Sequence, residues 1–256
     1  MFKRRPEDVK IVVCLNGNYD LKDLERILAD SWPYMDLVLL GKNSIGLQAI
    51  GMARNHSKDV IAGLEIYDEP IPAANKVTMI TGARASFYTI MPGGGVDMMK
   101  AVLGAASLQA KINRDVPPKA IAILDSWRIE QLDQLKIFFP GESTRELCFS
   151  RQRLEFIVNA LAKLAVEAGI GCAWITADYV EFLKQRWPQL TVFANRICMP
   201  GSSLDGLDGR LTPAKAVKAG ADYLVMSDPI LYPPKGKTRK QVAAEIRADI
   251  ARAFEE

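Results

Sequence analysis

The chain has 256 residues, 49% hydrophobic and 25% charged, which excludes a disordered chain and suits one large α/β domain better than a small disulfide-stapled module. Basic and acidic residues nearly balance, 33 against 30 for a net charge of +3, so nothing in the charge argues for nucleic acid as a partner. No apolar run is long enough to span a bilayer, and Met1–Arg5 leads into Pro6 and Glu7 instead of a signal-type stretch; a cytoplasmic protein without a membrane partner is expected.

The first apolar, β-branched run is Val9–Leu15. An amphipathic helix over Leu21–Asp30 follows, with Asp20 as its N-cap. Met35–Gly41, Asp59–Ile66 and Ser86–Met91 are the next three strand-like runs, and Gly95–Lys111 then has apolar residues at helical spacing. After Ala120–Leu124 comes a helix over Leu154–Glu167, stopped at Ala168-Gly169. Gly171–Ile175, Leu190–Ala194 and Ala221–Met226 complete eight short buried runs. Before the last of them, Thr212 and Pro213 form a cap-plus-proline start for a helix over Pro213–Lys218. The loop Pro233–Lys237 precedes a final helix, Lys240–Glu255. Strand followed by helix, eight times over, predicts a single-domain α/β protein spanning residues 1–256, a (β/α)8 TIM barrel; an open doubly wound sheet is the alternative.

Cys14, Cys148, Cys172 and Cys198 stand far apart with no CxxC spacing, which fits reduced thiols and not a zinc site or redox pair. His56 is the only histidine, so a HExxH metal site is impossible. A barrel carries its active site at the C-terminal ends of the strands. Reading those ends gives Asn16, Gly41-Lys42-Asn43, Glu65 with Asp68, Met91–Gly95, Asp125-Ser126, Thr176, Arg196 and Ser227-Asp228. Glu65 and Asp68 fit two readings: a carboxylate pair that holds a proton or a divalent cation, or Glu65 locked in an ion pair with Lys42 or Arg196. Gly93-Gly94-Gly95 fits a phosphate cradle or a tight strand-to-helix junction. Lys42 fits a general acid, an anion clamp or a solvated loop residue. Trp127, Trp174 and Trp187 read as core or interface side chains, not ligand platforms.

Thr212–Pro234 (TPAKAVKAGADYLVMSDPILYPP) resembles the last βαβ unit of orotidine 5′-monophosphate decarboxylase, which reads TPxxAxxAGADYxVVGRPI there. The likeness extends from about Val9 to Tyr232. Leu64–Pro70 (LEIYDEP) is similar to the family's LKxHDIP, Gly94–Met99 to GGxxMM, Leu124–Ser126 to LTS, and Ala194–Gly201 (ANRICMPG) to TPGIRPAG. The resemblance implies a barrel of the ribulose-phosphate-binding type, a homodimer, no metal and no organic cofactor, and a place in pyrimidine metabolism.

The family's charge array is not repeated. Its VKVG lysine falls on Leu39, and its DxKxxD motif on Gly63, Glu65 and Asp68, so that an acid stands at the catalytic lysine position. The first-strand aspartate is Asn16. The TPG glycine, part of the phosphate grip, is Arg196, and the Gly-Arg pair after the eighth strand is Ser227-Asp228. Ser126, which resembles the family's contact to the pyrimidine, is retained. Two functions follow from this pattern. One is a divergent or non-catalytic relative that binds a small polar ligand, with Glu65, Asp68 and Lys42 in the catalytic places and Asn16, Ser126, Thr176, Arg196, Ser227 and Asp228 around the ligand. The alternative is a working decarboxylase or related carbon–carbon lyase on a nucleotide or sugar phosphate, with Lys42 and Arg196 as relocated cations.

Overall fold

Eight parallel strands pair in chain order and close into a barrel: β1 (Lys10–Leu15), β2 (Leu37–Gly41), β3 (Asp59–Ile66), β4 (Phe87–Ile90), β5 (Lys119–Ile123), β6 (Cys172–Thr176), β7 (Thr191–Asn195) and β8 (Tyr223–Val225). The closing contact sets Val12 of β1 against Val225 of β8. This computed structural model describes residues 4–43, 46–56, 59–125, 151–207 and 209–255. The helices are α1 (Leu21–Ser31), α2 (Leu47–Asn55), α3 (Pro70–Gly82), α4 (Gly95–Asn113), α5 (Arg151–Ala168), α6 (Val180–Arg186), α7 (Pro213–Lys218), α8 (Asp228–Leu231) and α9 (Arg239–Arg252). None is long and apolar enough to cross a membrane, among the described residues.

Alternation along each strand divides the apolar residues into two cores. On β1, Ile11, Val13 and Leu15 join the large layer between strands and helices, whereas Val12 faces the barrel axis. The axial core gathers Leu37, Leu39, Ile61, Phe87, Ile121, Cys172 and Phe193 around Val12. Phe193 stacks on Tyr223 with centroids 4.0 Å apart and meets the edge of Phe87 at 5.6 Å. Leu37, Phe87, Cys172 and Tyr223 are the first residues of their strands. This plug therefore fills the N-terminal half of the barrel and leaves the C-terminal half for a cavity.

All eight expected strands are present, with ends that differ by up to two residues. Four helices beyond those expected, α2, α3, α6 and α8, occupy the connections. Asp20 caps α1, accepting the Asp23 N–H at 2.8 Å, and Gly169 ends α5 at φ +96°. One capping expectation is corrected. The Thr212 hydroxyl makes no capping hydrogen bond to α7. The Ala214 N–H donates instead to the nearly buried Asp249 carboxylate of α9, at 2.9 Å. His56 follows α2 at the N-terminal end of the barrel. Its ring packs 5.3 Å from Trp32, whose indole N–H donates to the His56 carbonyl.

Candidate functional site

A cavity of about 330 Å³ opens at the C-terminal ends of the strands. Its described lining follows from the inward register: Cys14 and Asn16 from the first strand and its end, Leu39 and Gly41 from β2, Gly63 and Glu65 from β3, and Thr89 from β4. Ile123 and Asp125 (at the end of β5), Trp174 and Thr176 (β6), and Asn195 and Arg196 (at the end of β7) complete it.

The β3 edge of the cavity is irregular. Ala62 pairs with Tyr88 and Ile66 with Ile90, so Gly63, Leu64 and Glu65 together oppose Thr89 alone. Such a bulge bends the strand and re-aims a side chain. Glu65 absorbs it with a left-handed backbone, φ +46°, and its N–H donates to the buried Thr89 hydroxyl at 2.8 Å. Arg196, just beyond β7, is also left-handed at φ +55°. The other two described non-glycine residues with positive φ, Arg84 and Arg114, lie just after helices α3 and α4, where that geometry is ordinary. Both unusual backbones therefore stand at the cavity, on walls four strands apart. Such conformations cost of order 1–3 kcal/mol each and persist where the surroundings enforce them.

Close approach shapes the β1–β3 wall. A Cβ on Gly63 would stand 2.8 Å from both Leu39 Cδ2 and the Leu40 carbonyl oxygen. A Cβ on Gly41 would stand 2.0 Å from the Asn16 amide oxygen, so that side chain lies directly over Gly41. Burial pushes the Cys14 thiol up to about 12; a hydrogen bond to Asn16 pulls the other way, and the Glu65 charge adds to the rise. Cys14 is thus a neutral thiol near pH 7, not a nucleophile.

On the opposite wall the Asp125 carboxylate accepts from the Thr176 N–H at 2.5 Å and from the Thr176 hydroxyl. Burial raises the Asp125 pKa above the ordinary carboxylate range, against the pull of the Thr176 hydrogen bonds and the Arg196 charge. The Asn195 amide oxygen is buried with no hydrogen-bond partner. A buried polar group of this kind at a cavity wall is a ready contact for a ligand or water.

Of the strand-end residues singled out by sequence, Asn16, Gly41, Glu65, Asp125, Thr176 and Arg196 meet at this cavity. Lys42 stands beside it, its ammonium 2.6 Å from the Glu65 carboxylate. Glu65 and Asp68 do not form a carboxylate pair, because Asp68 is engaged by Lys76 at 2.8 Å and by the Glu69 N–H. These two hydrogen bonds hold its carboxyl below the usual range. Ser227 is turned toward β1, where its hydroxyl accepts the Cys14 N–H at 2.8 Å. Asp228 is exposed at the start of α8. Ser126 and Trp127 lie outside the described residues. The Gly93–Gly95 run serves the strand-to-helix junction: Gly95 has φ +87°, and the Met98 methyl lies 2.5 Å from where a Gly94 Cβ would stand. Trp174 does more than fill the core, since it lies parallel to Phe193 and also lines the cavity. Asp125 is the principal site residue that strand-end reading under-weighted. Among the described residues no group of three or more His, Cys, Asp or Glu side chains could hold a metal ion.

No family model matches the chain. It is 26% identical over 225 residues to orotidine 5′-phosphate decarboxylase of Trichlorobacter lovleyi, covering 86% of this chain and 88% of that one. It is 24% identical to the enzyme of the same name from Geotalea daltonii, covering 93% and 96%. The crystal structure of orotidine 5′-phosphate decarboxylase from Lactobacillus acidophilus superposes with a TM-score of 0.74 at 18% identity, over 94% of this chain and 99% of that one. Sequence relatives and fold together support membership of the orotidine 5′-phosphate decarboxylase superfamily.

In this barrel Asp125 makes a pH-dependent contribution to stability. Its carboxyl keeps a proton in the folded state at pH values where the unfolded chain, with an ordinary value of 3.8, has lost it. The folded state then binds more protons, and stability from this group falls as pH rises from about 4 through the raised native value. Asp125→Asn keeps an acceptor for Thr176 and removes the titration. Melting temperatures from pH 4 to pH 7 are expected to show the variant gaining on wild type as pH rises. Parallel curves would contradict this role for Asp125.

Proposed function

We propose that the barrel mouth binds a small polar ligand without a phosphate group, and that the chain does not decarboxylate orotidine 5′-monophosphate. The carrying observation is the Leu39–Gly63–Glu65 wall. Where the resemblance puts two lysines and an acid stand an apolar side chain, an acid, and a glycine with no room for a Cβ. Glu65 holds Lys42 as a partner, so that ammonium charge is largely matched. The end of β8 supports the same reading, because exposed Asp228 stands at the place of a phosphate-binding arginine, and a carboxylate repels a phosphate dianion.

The lyase reading has one specific support: Lys42 lies near the position of the family's catalytic lysine, and Arg196 lines the cavity. Uridine 5′-monophosphate separates the two. At millimolar nucleotide the melting temperature is expected to move by less than about 1 °C. A rise of several degrees would restore the nucleotide site and the lyase reading with it. By the same resemblance we infer a cytoplasmic homodimer; exposed Ile71 and Met79 on α3 and Leu108 and Ile112 on α4 are apolar surface that a partner barrel would cover.

A further inference from the structure

We infer that the mouth is a bipolar site for a small zwitterion, an amino acid whose ammonium group meets Glu65 and whose carboxylate meets Arg196. This rests on the reading that the ligand carries no phosphate. Glu65 and Arg196 project from β3 and from the end of β7, which lie across the barrel from each other. They have opposite charges, so a ligand that spans the cavity is asked for a cation at one end and an anion at the other.

Each wall is also locally balanced. Lys42 pairs with Glu65 at 2.6 Å, and a carboxylate, with about four lone-pair sites, keeps accepting capacity for a ligand beside one ammonium. Both partners are about half exposed, so the pair contributes little to stability and yields readily to a competing ammonium. Arg196 acts on Asp125 across the other wall, yet a guanidinium has five N–H donors and can hold a ligand carboxylate as well. One acid and one base at opposite ends of the cavity, Glu65 and Arg196, favour a dipolar ligand over a nucleotide dianion. Between the charged ends, the unpartnered Asn195 amide oxygen and the Asn16 amide offer hydrogen bonds, and Trp174, Leu39 and Ile123 offer apolar surface to a short carbon chain.

The backbone supplies an independent argument. Glycine would occupy φ +46° and φ +55° without steric cost, yet these positions carry Glu65 and Arg196. Two charged side chains held in strained conformations on facing walls are what a ligand site requires and what stability alone would discard.

The test is thermal unfolding of the full chain with glycine, β-alanine, 4-aminobutyrate and 6-aminohexanoate at about 10 mM, each beside the alkylamine and alkanoate of matching length. At least one zwitterion is expected to raise the melting temperature by about 3 °C or more, with no comparable rise from its amine or acid counterpart. Glu65→Gly and Arg196→Gly relieve the left-handed strain, so each is expected to melt no lower than wild type without ligand and to lose the shift. No rise with any zwitterion overturns the inference, as does a rise that survives both substitutions or is matched by amine or alkanoate alone. A rise with uridine 5′-monophosphate in the same experiment overturns the underlying reading instead.

Discussion

Purified protein given orotidine 5′-monophosphate is expected to release CO2 no faster than a small fraction of ordinary enzyme rates. Loss of CO2 from such a substrate leaves a carbanion, and a nearby ammonium lowers the barrier by stabilising that charge. At about 4 Å and an effective dielectric near 20, one such charge pair is worth roughly 4 kcal/mol. Removing that attraction alone costs roughly 10³-fold in rate, because each 1.36 kcal/mol is tenfold. On the proposed reading Glu65 stands where the resemblance puts the catalytic lysine and Leu39 where it puts the other. Lys42 offsets the repulsion from Glu65 but spends its charge in doing so, since its ammonium sits 2.6 Å from that carboxylate. The expected deficit is therefore at least the lost attraction, before any weakening of phosphate binding by Asp228 is counted. Trapping released CO2, or following the loss of orotidylate absorbance, checks this directly. Turnover of about 10 s⁻¹, typical of enzymes, would show that Lys42 or Arg196 supplies the missing charge. Glu65→Lys alone is not expected to restore turnover, because Leu39 and Gly63 still interrupt the array.

The strands were legible because a parallel barrel buries both faces of each one and so writes them as short β-branched runs. Most helix ends were legible where the signal is local: Asp20 caps its own helix three residues on, and Gly169 supplies the left-handed stop. The start of α7 was misread because its cap comes from Asp249, 35 residues away, and no window around Thr212 contains it. Strand ends also named much of the cavity, and the Lys42–Glu65 pair was one of two readings open for Glu65. The rest is tertiary. Asp125 acquires its raised pKa only when the barrel buries it, with β6 bringing Thr176 against it. Glu65 and Arg196 give no hint of left-handed backbone, since that signal in a sequence is glycine, and these two positions lack it. The resemblance did place a glycine at position 196, and the φ of +55° there shows that the backbone geometry glycine favours is present without the glycine.

Gly63→Ala is expected to lower the melting temperature by about 3–10 °C. The added Cβ would lie 2.8 Å from Leu39 Cδ2, 2.8 Å from the Leu40 carbonyl oxygen and 3.2 Å from the Gly41 Cα. Two of these three atoms are backbone of the neighbouring strand, paired with β3 at Leu40↔Ala62 and Gly41↔Gly63, so they cannot swing aside. Overpacking a closed site of this kind costs about 1–3 kcal/mol, and a chain of this size loses about 2–4 °C per kcal/mol. Leu39→Ala removes the side-chain part of the conflict and leaves the backbone part. A double-mutant cycle is therefore expected to show positive coupling without full rescue. Gly41→Ala is the contrast: the two nearest atoms, both within 3.0 Å of its Cβ, are the amide oxygen and Cγ of Asn16, a side chain that can rotate away, and the next is the backbone Cα of Asn16 at 3.1 Å, which needs to give by a few tenths of an ångström. That variant is expected to keep most of its stability while displacing Asn16 from the cavity. A Gly63→Ala protein that melts within about 1 °C of wild type would mean that β2 and β3 part easily at this point. The acid that the resemblance puts at position 63 could then be accommodated, and the steric half of the case against decarboxylation would fall.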